Sequence, residues 1–178
     1  KKAFKNGKCI VLKNAIDVSK FSYNTTIRNK VRAELGLENA FVIGMVGRFH
    51  PQKNHSFMLE ILQEILKEKP NTVLLLVGGG EQIDEYKKKV QELNLKDNII
   101  FTGVRDNVNE LYQAMDVFAL PTHYEGFGIV LIEAQCTGLQ TFTSLEGVPQ
   151  EVKITNLLHF ISLQKTAKEW AGIILKYQ

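Results

Sequence analysis

Phe41-Val42-Ile43-Gly44-Met45-Val46-Gly47-Arg48-Phe49-His50-Pro51-Gln52-Lys53-Asn54 is the stretch whose reading decides the fold. Its first six residues, Phe41–Val46, are apolar or glycine and have the length of a strand buried on both faces. Residues 47–54 carry glycine, proline and charge, which end a strand and form a loop. After Asn54, a candidate amino-terminal cap, Phe57, Met58, Ile61, Leu62, Ile65 and Leu66 recur at helical spacing. Strand, loop and amphipathic helix make one βα unit, and the pattern repeats along the chain. Thr72–Val77, residues 99–102 and Val117–Leu120 read as further short apolar strands. Residues 83–93, Val108–Ala114, residues 128–137 and residues 166–175 read as helices, and Cys9-Ile10-Val11-Leu12 as an early strand. Such alternation predicts an α/β fold, a three-layer α/β/α sandwich with a parallel sheet and helices on both faces.

Ligands of open parallel sheets collect beyond the carboxyl ends of the strands, at the switch point. Each predicted strand ends there in glycine or charge: Gly47-Arg48, Gly78-Gly79-Gly80, Gly103, and residues 121–128. Within the last loop, Glu125-Gly126-Phe127-Gly128-Ile129-Val130-Leu131-Ile132-Glu133 brackets a glycine turn and a helix start with two carboxylates. Gly126 and Gly128 permit backbone angles and close approach that a Cβ resists. A helix starting at Gly128 points free amides and its positive dipole end at the turn, which suits an anion. The carboxylates suit hydroxyl groups beside it, so sugar and ribose hydroxyls flanking a diphosphate satisfy both halves.

At helical spacing Ile129, Ile132, Glu133 and Cys136 share a stripe. Glu133 then sits among apolar residues and needs a partner: a ligand hydroxyl, a basic neighbour and a solvated edge each supply one. Arg48 and Lys53 have the chemistry to hold phosphate oxygens, although two basic residues in a polar loop are also compatible with simple solvation. His50 alone is a poor catalytic candidate. Gly78-Gly79-Gly80 lacks both GxGxxG and the phosphate-loop lysine, so it reads as a tight turn beside a ligand, and a dinucleotide oxidoreductase is disfavoured.

A chain of 178 residues with 44% hydrophobic and 23% charged residues is consistent with one ordinary globular domain. The net charge of +3 is too small to argue for nucleic acid or an anionic membrane surface. Cys9 and Cys136 lie in apolar sequence without CxxC spacing, which favours small buried residues over a disulfide or metal pair and agrees with a cytoplasmic setting. Neither a signal peptide nor an apolar run of spanning length is present. The chain begins without Met and runs at once into strand-like sequence, which predicts a piece of a longer protein.

Val46-Gly47-Arg48-Phe49 with Lys53-Asn54, then Leu76-Val77-Gly78-Gly79-Gly80, Phe101-Thr102-Gly103, Ala119-Leu120-Pro121, Glu125-Gly126-Phe127-Gly128 and Glu133-Ala134, form an ordered set. The set resembles the carboxyl-terminal, donor-binding domain of retaining GT-B glycosyltransferases of the glycosyltransferase family 4 kind. Asn14-Ala15-Ile16-Asp17 and Phe21 resemble the family's segment leading into that domain, and the similarity runs over residues 9–144. It implies a Rossmann-like lobe whose donor is a nucleoside-diphosphate sugar, with no metal and no nucleic-acid partner expected.

Carried over residue by residue, the resemblance implies that Arg48 and Lys53 hold the diphosphate and neutralise charge on the leaving group. Glu125 would grip a hydroxyl of the transferred sugar and Glu133 the ribose. The backbone at Gly126, Phe127, Gly128, Ile129 and Val130 would meet sugar and phosphate oxygens. Gly47 would lie at the phosphates, Gly103, Val104 and Arg105 near the base, and His123 and Tyr124 at the sugar pocket. The acceptor would be bound by an amino-terminal lobe absent from this sequence, so the chain alone is expected to bind donor without transferring it. Membrane association is left to the full-length protein.

After Gly138 the sequence departs from the family's pattern. Gln140 stands where proline is common, and residues 154–161 replace a glycine-bearing loop after Glu151. Trp170 is expected in the core. A non-catalytic nucleotide- or partner-binding domain on the same fold is the alternative function, and a sugar-phosphate phosphorylase or hydrolase is a third.

Overall fold

The computed structural model describes residues 15–177, so the strand expected over residues 9–12 lies outside the described residues. Among the described residues six strands form one sheet: β1 (Phe41–Val46), β2 (Thr72–Val77), β3 (Ile99–Gly103), β4 (Val117–Leu120), β5 (Gln140–Ser144) and β6 (Leu158–Ile161). Their order is β3-β2-β1-β4-β5-β6, and every neighbouring pair is parallel. In this doubly wound order the direction of winding reverses between β1 and β4. Loops leaving those two strands diverge to opposite faces and leave a crevice above their carboxyl ends.

Among the described residues seven helices flank the sheet: α1 (Val18–Phe21), α2 (Thr25–Leu35), α3 (His55–Glu68), α4 (Ile83–Glu92), α5 (Val108–Ala114), α6 (Ile129–Cys136) and α7 (Ala167–Ile174). α3 packs on α7, where Phe57 meets the fully buried Trp170 edge-on, and on α4 through His55 and Tyr86. α2 packs on α5, and α1 on α5 and α6. Strands β1, β2 and β4 are apolar on both faces and almost wholly buried, as their continuous hydrophobic runs require.

Three features depart from the sequence expectations. β5 and β6 extend the sheet beyond the expected strands. β5 reads as polar, Gln-Thr-Phe-Thr-Ser, yet Thr141 and Thr143 are buried because their hydroxyls donate to the carbonyls of Leu139 (3.0 Å) and Leu120 (2.9 Å). α2 likewise has no expected counterpart, although Asn24 caps its start through Ile27 N (3.0 Å) and Gly36 ends it in the left-handed conformation. It is held to the sheet by Asp116, which accepts from Val42 N (2.7 Å), Arg32 Nη1 (3.2 Å) and Arg28.

The third departure is Asn54. It precedes α3 but does not cap it with its side chain. Its backbone is left-handed (φ 57°, ψ 44°), because it turns the chain directly from the short 3₁₀ segment Pro51–Lys53 into α3. A capping side chain needs an extended backbone at that position.

Candidate functional site

The crevice is built by zipping together the loops after β1, β2 and β4. Gly47 N donates to Val77 O (2.9 Å) and Phe49 N to Gly79 O (2.9 Å), which lays the Arg48 loop along the Gly78-Gly79-Gly80 turn. Gly78 makes this contact feasible: a Cβ there would stand 2.1 Å from the Gly47 carbonyl oxygen. The glycines serve close backbone approach, while the turn expected at them falls on Glu81 and Gln82. Beneath the loop Phe49 is buried and stacked on His55, with ring centres 4.3 Å apart, beside Tyr86 and Phe101. His55 is a neutral packing group rather than a general base in reserve. Burial, and then the charge of Lys53, depress its pKa to about 4.

Gln52 joins this loop to the one after β4. Its carbonyl accepts from His123 N (2.8 Å) and Thr122 Oγ1 (2.9 Å), and its side-chain amide donates to Tyr124 O (2.7 Å). On the far side Glu125 N donates to Gly147 O (2.7 Å), and a Cβ at Gly147 would stand 1.8 Å from His123 O. The segment that carries Glu125 is thus clamped from both sides. Across the crevice Lys53 Nζ lies 2.6 Å from Glu125 Oε1, with side chains only 15% and 7% exposed. Arg48 is exposed and has no hydrogen-bond or ion-pair partner among the described residues. Gly47, Arg48, His50, Gln52 and Lys53 line a hollow of about 370 Å³.

α6 starts at Gly128, which is left-handed (φ 84°) and offers no side-chain cap to the first-turn amides. Gly126 has no positive φ, so only Gly128 uses the backbone freedom expected of both. The stripe expected along this helix is displaced from the core. Leu131, Ala134 and Gln135 are buried, whereas Ile129 is exposed and Ile132, Glu133 and Cys136 lie at the half-buried rim. Gln135 can face inward because its amide is fully used, accepting from Ile154 N, Thr155 N and Thr155 Oγ1 and donating to Leu131 O and Val152 O.

Glu133 has no basic partner among the described residues and lies at the half-buried rim, where a phenol meets it. Its Oε2 accepts from the Tyr112 hydroxyl at 2.9 Å. Burial raises its pKa, and the bond from Tyr112 opposes that rise.

Gly103, Val104 and Arg105 sit at the end of β3, on the other side of β2 from β1. Gly103 O accepts from Gly78 N (3.0 Å), and the Val104 side chain leans over Gly79, where a Cβ would come within 2.9 Å of it. Val104 is 79% exposed, and Arg105 Nε donates to Asn107 Oδ1 (3.1 Å). The glycine turn after β2 therefore forms a continuous floor from this corner to Arg48. His123 and Tyr124 are exposed beside Glu125. Gln52, Gly147 and Tyr112 shape the site without having been singled out in the sequence. Gln52 and Gly147 act through contacts far along the chain, and Tyr112 reads as one more apolar position of α5.

Among the described residues no group of three His, Cys, Asp or Glu side chains is placed to hold a metal ion, and no helix is long and apolar enough to cross a membrane. Cys136 is a free, half-buried thiol.

A six-stranded parallel sheet of this order, with a basic loop after β1 facing a carboxylate and helix start after β4, defines one lobe of a GT-B glycosyltransferase. The chain belongs to the family described as glycosyl transferases group 1, whose profile matches residues 27–177. It is 36% identical over 141 residues to the UDP-Gal:alpha-D-GlcNAc-diphosphoundecaprenol alpha-1,3-galactosyltransferase of Escherichia coli, covering 77% of this chain and 36% of that protein. It is 28% identical over 141 residues to a GDP-mannose-dependent phosphatidylinositol monomannoside mannosyltransferase of Mycolicibacterium smegmatis, covering 74% and 37%. The structure of Anabaena HepE with UDP-glucose superimposes with a TM-score of 0.80 at 26% identity, over 92% of this chain and 46% of that one. The carboxyl-terminal domain of the group 1 protein LpcC from Francisella tularensis shares the fold (TM-score 0.75, 22% identity) over 91% of this chain and 87% of that one. The chain spans less than half the length of the curated relatives it matches.

Proposed function

We propose that this chain is the donor-binding lobe of a retaining hexosyltransferase that moves a sugar from a nucleoside-diphosphate sugar to a glycan, lipid or other acceptor, in polysaccharide or glycoconjugate synthesis. The observation that carries the reading is the convergence of Arg48, Lys53, Glu125 and the uncapped start of α6 at the β1/β4 crevice. Two cationic side chains and a helix amino terminus favour a diphosphate, and carboxylates on either side of it favour hydroxyls. Relatives described as using UDP-Gal and GDP-mannose, and one solved with UDP-glucose, agree with this donor class.

In the proposed reaction the bond from the anomeric carbon to the diphosphate oxygen breaks as an acceptor hydroxyl attacks the same face. The hydroxyl proton passes to the departing phosphate. Negative charge grows on the leaving group, and in this reading Arg48, Lys53 and the α6 amides stabilise it. Glu125 would hold a hydroxyl of the sugar and Glu133 the ribose, with Gly103, Val104 and Arg105 toward the base. Phe127, Ile129 and Val130 would present backbone to sugar and phosphate oxygens.

Calorimetric titration with uridine, guanosine and adenosine diphosphates tests the reading and names the base. At least one is expected to bind. Arg48→Ala is expected to weaken it roughly tenfold or more, the usual loss for a charge-assisted bond to phosphate. If none binds, or if Arg48→Ala and Glu133→Ala leave binding unchanged, a partner-binding domain on the same fold replaces this reading. Incubated with donor and a hydroxyl acceptor, this chain alone is expected to transfer no sugar, because the acceptor site belongs to a second lobe. Turnover by the single domain would refute that assignment.

A further inference from the structure

Tyr112 lies near the end of α5 and is wholly buried, its ring held edge-on by Phe21 at 5.9 Å and against Phe118 at 5.7 Å. Its hydroxyl reaches the first turns of α6, 2.9 Å from Glu133 Oε2 and 3.2 Å from Val130 O. A phenol has one proton, and the carboxylate is both the nearer and the stronger acceptor. Burial, and then the adjacent Glu133 charge, raise the Tyr112 pKa well above that of a free phenol, so the donor stays protonated. Glu133 Oε1 has no hydrogen-bond partner among the described residues. Tying down Oε2 fixes the plane of the carboxylate and therefore the direction in which Oε1 accepts.

We propose that Tyr112 is a positioning residue that sets a preference for ribonucleoside over 2′-deoxyribonucleoside diphosphates, by holding Glu133 so that its free oxygen meets the ribose 2′-hydroxyl. The proposal rests on the reading of Glu133 as the ribose-holding residue. Tyr112 itself touches no donor atom. Its effect is confined to a hydroxyl whose loss on the ligand side can be mimicked by a deoxy analogue, and this separates positioning from general support of the fold.

The test is calorimetric titration of this chain with the diphosphate that binds tightest in the panel above, and with its 2′-deoxy counterpart. The native chain is expected to prefer the ribonucleotide. Tyr112→Phe is expected to cut that preference about tenfold, the loss of one hydrogen bond to a charged group, while leaving the deoxy ligand almost unaffected. A merely structural role would weaken both ligands alike and overturn the proposal. Glu133→Gln is expected to cut the preference as well, and Tyr112→Phe to add nothing in that background. If Glu133→Gln leaves the preference intact, the reading of Glu133 fails and takes this proposal with it. If Glu133→Gln lowers the preference and Tyr112→Phe does not, the role of Tyr112 alone fails. Should Tyr112→Phe not fold, 3-fluorotyrosine keeps the ring and makes the phenol a stronger donor. The preference should then change, and an unchanged preference overturns the proposal.

Discussion

A Lys53→Met chain is expected to lose well over tenfold in affinity for a nucleoside diphosphate, whereas Glu125→Gln is expected to gain several-fold. The two residues form a 2.6 Å ion pair that is mostly shielded from water. Removing the lysine takes one positive charge from the crevice and also exposes an unpaired carboxylate to the incoming phosphates. Breaking such a pair from one side costs about 3–5 kcal/mol, because the surviving charge is left without compensation. Removing the glutamate charge has the opposite sign: Lys53 is released to face the diphosphate. The sugar separates the two roles. With Glu125→Gln the nucleotide sugar should lose its advantage over the bare diphosphate, since the proposed role of Glu125 is to hold a sugar hydroxyl. Titrating both variants with diphosphate and with nucleotide sugar measures all four affinities. Equal losses for the two variants would show that the pair acts as a structural clamp and not as a charge shared with the donor.

Gly78→Ala is the second large effect, and it acts on the fold. Gly78 has φ 140°, and a Cβ there would stand 2.1 Å from the Gly47 carbonyl oxygen. Backbone strain and steric overlap each cost about 1–3 kcal/mol, and the obstructing atom is backbone, which cannot swing aside. The expected loss is about 3–5 kcal/mol, or roughly 10 °C in melting temperature for a domain of this size. The displaced Gly47 also carries the Arg48 loop, so diphosphate binding should weaken in whatever fraction folds. Gly172→Ala is the control. Gly172 lies in α7 with open space around its Cβ position and no positive φ, so the replacement should leave the melting temperature unchanged or raise it slightly. Thermal denaturation followed by circular dichroism compares the two, and an unaltered melting temperature for Gly78→Ala would contradict the contact.

Much of the fold is legible because its signals are local. The strand over Phe41–Val46 and the helix over Val108–Ala114 match the structure residue for residue, since a buried strand must be apolar on both faces and an amphipathic helix must repeat. β5 escapes this reading because its threonines hide their polarity in bonds to neighbouring carbonyls. Asn54 misleads because its role is to bend the backbone, and composition does not distinguish that from capping. In the candidate site, the residues with chemistry of their own, Arg48, Lys53, Glu125 and Glu133, are visible from their types and their places after β1 and β4. Gln52, Gly147 and Tyr112 are not, because each acts on a partner at least 18 residues distant in sequence.

The order of strands and loops along the chain determined by itself that this protein is a parallel α/β domain with its glycine-bearing and charged loops at the strand ends. It also determined the resemblance to a glycosyltransferase donor lobe. Only the tertiary structure decided which groups meet. The reversal of winding between β1 and β4 brings Lys53 to Glu125 across 72 residues, and the reach of the Tyr112 hydroxyl from α5 to α6 gives Glu133 a phenol for a partner. Periodicity records which face of an element is buried, whereas ion pairs and hydrogen bonds depend on distances that exist only after the sheet has closed.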